Sequence, residues 1–380
     1  MSHAAIRTRQ DAEDLVRGCT LLGTGGGGGP QRGLELLVGA VSRAGAVSWV
    51  DPVVIPDDAW TVCLFYMGSI APPGEDVPRR LKELNMEVRV EKELCRAFAE
   101  LAAYAGVRPQ YVVAAEMGGL NTAAPIDAAV ELGLQVVNGD YGGRAIPEIT
   151  QSCVAVTGHE VCPLAFCDYA GSVTIVKSAP SYKMVERIGK LVSAASFGLV
   201  GSAGFLLRGR DMKQAVIPGT LQLALELGWT MRQARERGQD PAAAAAGFLD
   251  GWLLFRGRVA QKEWENREGY MYGWYRLAGS GEFTGRTLKV WFKNENQVTW
   301  LDDEPYVTSP DLICSVLEPE GEPITNSEIA VGQELAIVGA RSHPRYRSPE
   351  GLAVLAPQHF GFELPYVPIE EVVGRPGWST

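Results

Sequence analysis

The sequence predicts an α/β N-terminal domain with a mostly parallel sheet, joined to a β-rich, barrel-like C-terminal domain with associated helices. Three observations lead there. Helical and strand periodicities alternate from Arg9 to Val137, the mark of βαβ units. From Gly251 onward, aromatic and β-branched residues gather into short runs separated by Gly-containing turns, as in an antiparallel sheet or small barrel. The 380 residues, 46% of them hydrophobic, suffice for about two domains with buried cores.

Taken in order, Arg9–Arg17 has the spacing of a short helix and leads into a glycine loop from Gly23 to Pro30. In Gln31–Arg43, Leu34, Leu37, Val38 and Val41 share one helical face. Val47–Val50 reads as a short strand and Thr61–Met67 as a longer, buried one. Glu91–Tyr104 predicts a helix, Tyr111–Ala115 a strand, Asn121–Leu132 a helix and Leu134–Val137 a strand. Ligands of such sheets sit beyond the carboxyl ends of the strands, which puts Gly68-Ser69, Glu116–Gly119 and Asn138–Asp140 on one rim. Val173–Lys177 follows as a strand and Tyr182–Ser196 as a helix. A second helical stretch runs from Pro218 to about Gly247, broken at Gly238 and restarted at Pro241. The remaining strands are Trp252–Val259, Gly269–Leu277, Thr287–Phe292, Val298–Leu301, Leu312–Leu317 and Leu335–Val338. This change of character gives a domain at residues 1–168 carrying the glycine loop. The β-rich domain then spans 169–380 and includes helices at about 181–196 and 218–247.

Charge narrows the function classes. Against 35 basic residues stand 45 acidic ones, a net of −10, with no basic stripe to displace counterions from nucleic acid or an anionic membrane. No apolar run approaches the ~20 residues of a membrane helix. The first residues carry Asp11, Glu13 and Asp14 rather than an apolar leader segment. Seven irregularly spaced cysteines suit a reducing cytoplasm better than a disulfide framework. A cytoplasmic small-molecule protein is the expectation.

The glycine loop is the loudest local feature. Gly23, Gly25 and Gly28 fit G-x-G-x-x-G, with Asp51 after a strand within reach of a ribose; that is the dinucleotide reading, and it makes an oxidoreductase one alternative. The fingerprint needs a strand entering its first glycine, however, and here a polar helix leads in. What survives is general: Gly25, Gly26, Gly27 and Gly28 expose backbone N–H groups ahead of a helix N-terminus, suited to an anion or a polar ligand head. A plain surface loop stays open beside it.

Four acidic or basic residues are candidate catalysts. Glu116 ends a strand where Gly118 and Gly119 allow close backbone approach; it is a base or merely a carboxylate at the next helix N-terminus, with Asn121 beside it. Asp140, Arg144 and Glu148 crowd a segment holding Gly139, Gly142 and Gly143. Two acids in different environments can divide acid and base roles, the reading favoured for a segment that follows a strand exit; the alternative is that Arg144 acts only as their ion-pair partner. His159, Cys162, Cys167 and Asp168 are loosely spaced candidate metal ligands that match no tetrahedral motif; metal status and cofactor stay open, with no cofactor strongly implied, and His3 is set aside. Lys293, Asn294, Glu295 and Asn296 occupy the turn of an apparent hairpin, for which a polar turn is the simplest explanation.

In combination these segments say more. Leu22–Gly28, Glu116–Asn121, Asp140–Glu148, Lys293–Asn296 and Pro310–Ile313, in this order, resemble the S-methyl-thiohydantoin desulfurase-like family, over about residues 10 to 370. The family was catalogued as a domain of unknown function and is associated with hydantoinase/oxoprolinase proteins. The resemblance implies an α/β domain followed by a β-rich one. It also implies a hydrolase-like enzyme that removes a methylthio group from a hydantoin, thiohydantoin or related cyclic amide. The alternative is a non-catalytic partner subunit, or small-molecule binder, of a hydantoinase/oxoprolinase system; a homo-oligomer is compatible with either. On the residues, the expected site combines the glycine loop with Glu116, Asp140, Arg144 and Glu148, covered by the Lys293–Asn296 turn.

Overall fold

The structure is a computed structural model and describes residues 5–374; His3 lies outside them. Nine strands form the first sheet: β1 (Ala5–Ile6), β2 (Val47–Val50), β3 (Trp60–Met67), β4 (Tyr111–Ala114), β5 (Gln135–Asp140), β6 (Leu164–Cys167), β7 (Val173–Val176), β8 (Val200–Arg208) and β9 (Ile217–Pro218). Their order is β1-β2-β5-β4-β3-β8-β6-β7, with β9 on β5. The centre, β2-β5-β4-β3, is parallel, as expected of strands joined by helices. Antiparallel β8 then pairs with β3 and carries β6 and β7 outward.

β8 was not legible in the sequence because its run, Val-Gly-Ser-Ala-Gly-Phe, is poor in the residues that mark strands. Packing explains its glycines. A Cβ on Gly201 would stand 2.6 Å from the Glu93 Cβ, and one on Gly204 would stand 2.1 Å from Leu164.

The second sheet contains β10 (Trp252–Arg267), β11 (Tyr270–Gly279), β12 (Thr287–Lys293), β13 (Glu295–Leu301), β14 (Glu304–Thr308), β15 (Leu312–Glu318), β16 (Glu322–Pro323) and β17 (Glu334–Ala340). All pairs are antiparallel, in the order β14-β13-β12-β11-β10-β17-β15-β16. The sheet is open, with β14 and β16 at its edges, so the barrel-like expectation is corrected: alternating strands predict antiparallel pairing but not closure, which depends on stagger and tilt across the whole sheet. Sheet membership also departs from a division at 168/169. β7, β8 and β9 belong to the first sheet, and the second begins at Trp252.

The helix expected to end at Arg17 continues to Leu22. Gly18 lies within it because helix Thr220–Glu236 crosses there: a Cβ would meet the Ala224 carbonyl oxygen at 1.8 Å. That helix and Pro241–Phe248 are separate elements. One core cluster joins helices Arg9–Leu22 and Thr220–Glu236 to Leu312, Cys314, Val316, Ala336 and Val338 of the second sheet. The two sheets are therefore tied through a shared helical layer.

Candidate active site

A pocket lies beyond the carboxyl ends of the parallel strands β3, β4 and β5, where the glycine loop and the β12–β13 turn meet. Glu116, Glu148, Glu186, Lys190 and Glu295 are its acidic and basic lining residues. Glu186 and Lys190 share the helix Tyr182–Ala195, and the other three arrive from separate segments.

Glu116 follows β4. Its Oε1 accepts from Asn121 Nδ2 at 2.7 Å and its Oε2 from the Ile146 amide at 2.7 Å. Asn121 cannot turn away, since it also exchanges hydrogen bonds with the Tyr66 backbone at 2.8 and 3.0 Å. Burial pushes the Glu116 carboxyl up to about 7 despite these donors. Glu295 is buried beneath the glycine loop, and its Oε2 has no hydrogen-bond partner among the described residues. Burial, then the charge of Glu116, drives its carboxyl well above the ordinary range.

The glycine loop explains itself residue by residue. It connects two helices, Arg9–Leu22 and Pro30–Ala44. No strand enters Gly23, and Asp51 caps a short 3₁₀ turn by accepting from the Val53 amide at 2.9 Å. The dinucleotide geometry is therefore absent. Gly27 and Gly28 line the pocket and adopt positive φ of 74° and 79°. The Gly27 carbonyl accepts from the Leu120 and Asn121 amides, and a Cβ on Gly27 would come 2.4 Å from the Gly118 Cα. Gly25 and Gly26 instead face the second sheet: the Gly25 carbonyl accepts from the Asn326 amide, and a Cβ on Gly26 would stand 1.9 Å from Glu295 Oε1.

The hairpin turn reaches this loop. Asn294 alone forms its tip at φ 55°, with Lys293 paired to Glu295. Its Oδ1 accepts from the Met271 amide at 2.9 Å. Asn296 donates its amide to the Thr24 carbonyl at 2.8 Å and its side chain to the Ile313 carbonyl at 2.9 Å. Lys293 pairs with Glu148, which also bonds His359 Nε2 at 3.2 Å. Burial opposes ionisation of Glu148, but His359 and Lys293 prevail and hold its carboxyl down at about 2.

Asp140 and Arg144 are placed differently. Asp140 is fully buried, outside the pocket lining, and its Oδ2 accepts from the Gly142 and Gly143 amides at 2.8 and 2.6 Å; burial raises its carboxyl to about 7. Arg144 is a clamp. Its guanidinium donates to the carbonyls of Ala145, Pro310, Asp311 and Asn296 and to Thr24 Oγ1 at 2.9–3.3 Å, joining the glycine loop to both sheets.

Two pocket residues were missed. Glu186 and Lys190 sit one turn apart on helix Tyr182–Ala195, where a charged i, i+4 pair reads as an ordinary solvated face. Gly189 lets this helix approach β3, since a Cβ there would be 2.3 Å from Met67 Sδ. Lys190 Nζ donates to the Gly68 carbonyl at 3.1 Å and stands 3.9 Å from Glu186. Burial lowers its pKa. Glu186 accepts from the Ile149 amide at 2.8 Å and from the Tyr270 hydroxyl, yet burial still raises its carboxyl.

The metal candidates do not assemble. Asp168 is engaged by the Ser172 amide and the Ser196 hydroxyl, and Cys167 Sγ donates to the Asp168 carbonyl. Among the described residues, no group of three His, Cys, Asp or Glu could hold a metal ion.

An α/β domain and an antiparallel sheet together enclose a pocket of buried carboxyl groups. The chain belongs to the S-Me-THD-like family, matching its N-terminal domain over residues 10–178 and its C-terminal domain over 180–369. Membership is consistent with an enzyme of desulfurase or hydrolase type. The fold is similar to the crystal structure of a protein from Chromobacterium violaceum, with TM-score 0.75 and 22% identity over 96% of this chain and 99% of that one. No curated protein matches the chain. No helix among the described residues is long and apolar enough to cross a membrane.

Proposed function

We propose that this protein hydrolyses the methylthio group of an S-methyl-thiohydantoin or a related cyclic amide. One observation carries the reading: Glu116 and Glu295 face one pocket, and the charge of Glu116 helps keep Glu295 protonated. Two carboxyl groups held in different protonation states are what acid–base catalysis near neutral pH requires.

In this mechanism the Glu116 carboxylate takes a proton from water as the oxygen attacks the ring carbon that bears sulfur. The C=N electrons move to nitrogen, which takes the proton of Glu295. The tetrahedral carbon then collapses: its hydroxyl returns a proton to Glu295, a C=O forms, and the C–S bond breaks. Sulfur leaves as methanethiol with the proton held by Glu116. Water is consumed, hydantoin and thiol are produced, and both carboxyls return to their starting states. Lys190 supplies a positive charge beside the developing anion, and such fixed charges act strongly in a water-poor site. Asn121 holds Glu116 in place.

The test is direct. The purified protein, incubated alone with S-methyl-thiohydantoin, should release methanethiol and hydantoin in equal amounts. Release only after adding a hydantoinase-type protein would favour the partner-subunit role, and no release in either case would remove the desulfurase reading.

A further inference from the structure

The Oε2 of Glu295 has no hydrogen-bond partner among the described residues, so the backbone on either side sets where this carboxyl sits. On one side Asn296 donates its amide to the Thr24 carbonyl at 2.8 Å. On the other, the Asn294 carbonyl accepts from Asn326 Nδ2 at 2.8 Å. Asn326 also donates its own amide to the Gly25 carbonyl at 2.7 Å. This one buried residue staples the hairpin tip to the glycine loop, beside the point where Gly26 lies against the Glu295 carboxyl.

Asn326 is not part of a strand. It lies in the connection between β16 and β17, where the Thr325 amide and hydroxyl close a local turn by donating to Glu328 Oε2 at 3.2 and 2.6 Å. The second sheet holds this turn in place through one side chain. Lys262 Nζ donates to the Asn326 carbonyl at 2.7 Å and to the Ile329 carbonyl at 2.5 Å. Lys262 stands on β10 beyond Arg258, where β10 parts from β17, and its cross-strand partner is the core residue Tyr275. We infer that Lys262 is a positioning residue for the site, acting through Asn326 to fix Glu295 against the glycine loop. The inference rests on the proposed function for the role of Glu295 as the acid.

The surroundings of Lys262 are those of a brace and not of a surface charge. Its neighbours Gln261 and Glu263 are exposed, whereas Lys262 is half-buried and forms no ion pair among the described residues. Burial alone lowers its pKa to about 8, the mark of a cation that has given up hydration without gaining a carboxylate. What it gains is two charge-assisted hydrogen bonds to one turn. Glu116 from the exit of β4, Arg144 from the segment after β5 and Lys190 from helix Tyr182–Ala195 supply the charges that act on Glu295. Lys262 reaches it by hydrogen bonds in series, so its effect is one of position.

The experiment compares Lys262→Met, which keeps an apolar stem and loses both donors, with Lys262→Arg, which keeps donors and charge. In Lys262→Met, kcat for thiol release from S-methyl-thiohydantoin should fall about tenfold, as misplacement of a reacting group does, with KM little changed. The alkaline limb of its pH profile should move to lower pH, because a loosened Glu295 meets more water and less of the Glu116 charge. Lys262→Arg should retain the wild-type rate and profile. Carbon NMR of the Glu295 carboxyl gives a readout that needs no turnover: its titration should lie at lower pH in Lys262→Met than in the wild type. The same titration and the same pH profile in both proteins would overturn the inference, whatever the change in urea midpoint. A shifted titration with no thiol release from the wild type would keep the brace and remove the desulfurase reading. Lys262→Gln serves in the same measurements if Lys262→Met does not fold, and failure of both to fold would make Lys262 a stability residue and overturn the inference.

Discussion

Glu116→Gln separates the chemistry from the stability of the site. Burial raises the Glu116 carboxyl from an ordinary 4.5 to about 7. At roughly 1.4 kcal/mol per pH unit, that corresponds to about 3 kcal/mol of folding free energy. The sign follows from the direction. Below pH 4.5 the group is neutral in both states and this stability is fully present; it is lost as pH rises through the folded-state value, so the decline falls between about 4.5 and 7. Glutamine cannot ionise and lacks that decline, but it also lacks an acceptor. Asn121 Nδ2 and the Ile146 amide both donate to Glu116, and an amide can answer only one of them, at a cost of about 1–3 kcal/mol. The variant should therefore be less stable than the wild type at pH 5 and close the gap, or pass it, by pH 8. Urea unfolding at the two pH values measures this difference. Turnover, followed by thiol release, should fall about 10²–10⁴-fold, the range for loss of a general base. Wild-type turnover should rise through about pH 7 as Glu116 ionises, then fall at higher pH as Glu295 loses its proton. Parallel stability–pH curves for the two proteins would refute the buried-carboxyl argument, and unchanged turnover would remove Glu116 as the base.

Neighbouring glycines should behave differently. Gly27→Ala forces a Cβ against the Gly118 backbone at positive φ and should destabilise by at least about 1–3 kcal/mol, seen as a lower urea midpoint. At Gly26 the obstacle is the Glu295 side chain rather than backbone, so Gly26→Ala should reduce turnover at least tenfold, as displacement of a group from its working position does, with a smaller change in midpoint. Arg144→Met leaves buried acceptors from three segments without their donor and should cost roughly 3 kcal/mol or more; lost activity at normal stability would instead give Arg144 a direct role on substrate. Lys293→Met leaves the buried Glu148 with His359 and Thr150 as its side-chain donors. It should raise the Glu148 pKa, followed by carboxyl NMR, and destabilise by about 3 kcal/mol near neutral pH.

Local sequence determined most of the elements and their order. Apolar spacing marked helices Pro30–Ala44 and Tyr182–Ala195 within a residue of their observed ends, and the strand exit at Glu116 followed from a β-branched run meeting two glycines. These are short-range properties, fixed by periodicity and backbone preference. Tertiary structure decided what those residues do. The glycine loop resembles a dinucleotide fingerprint, but the helix before Gly23 and the close contact with Gly118 make it an interface between backbones. Arg144 reads as a site residue until its acceptors on Thr24, Pro310, Asp311 and Asn296 come within reach. Glu186 and Lys190 carry the least local information of all: an acid and a base one turn apart look like a surface pair, and only the approach of Gly189 to Met67 turns their face inward. Burial is set by what the rest of the chain places opposite a residue, so the raised carboxyl and lowered lysine pKa values that define this pocket belong to the folded chain and not to any segment of it.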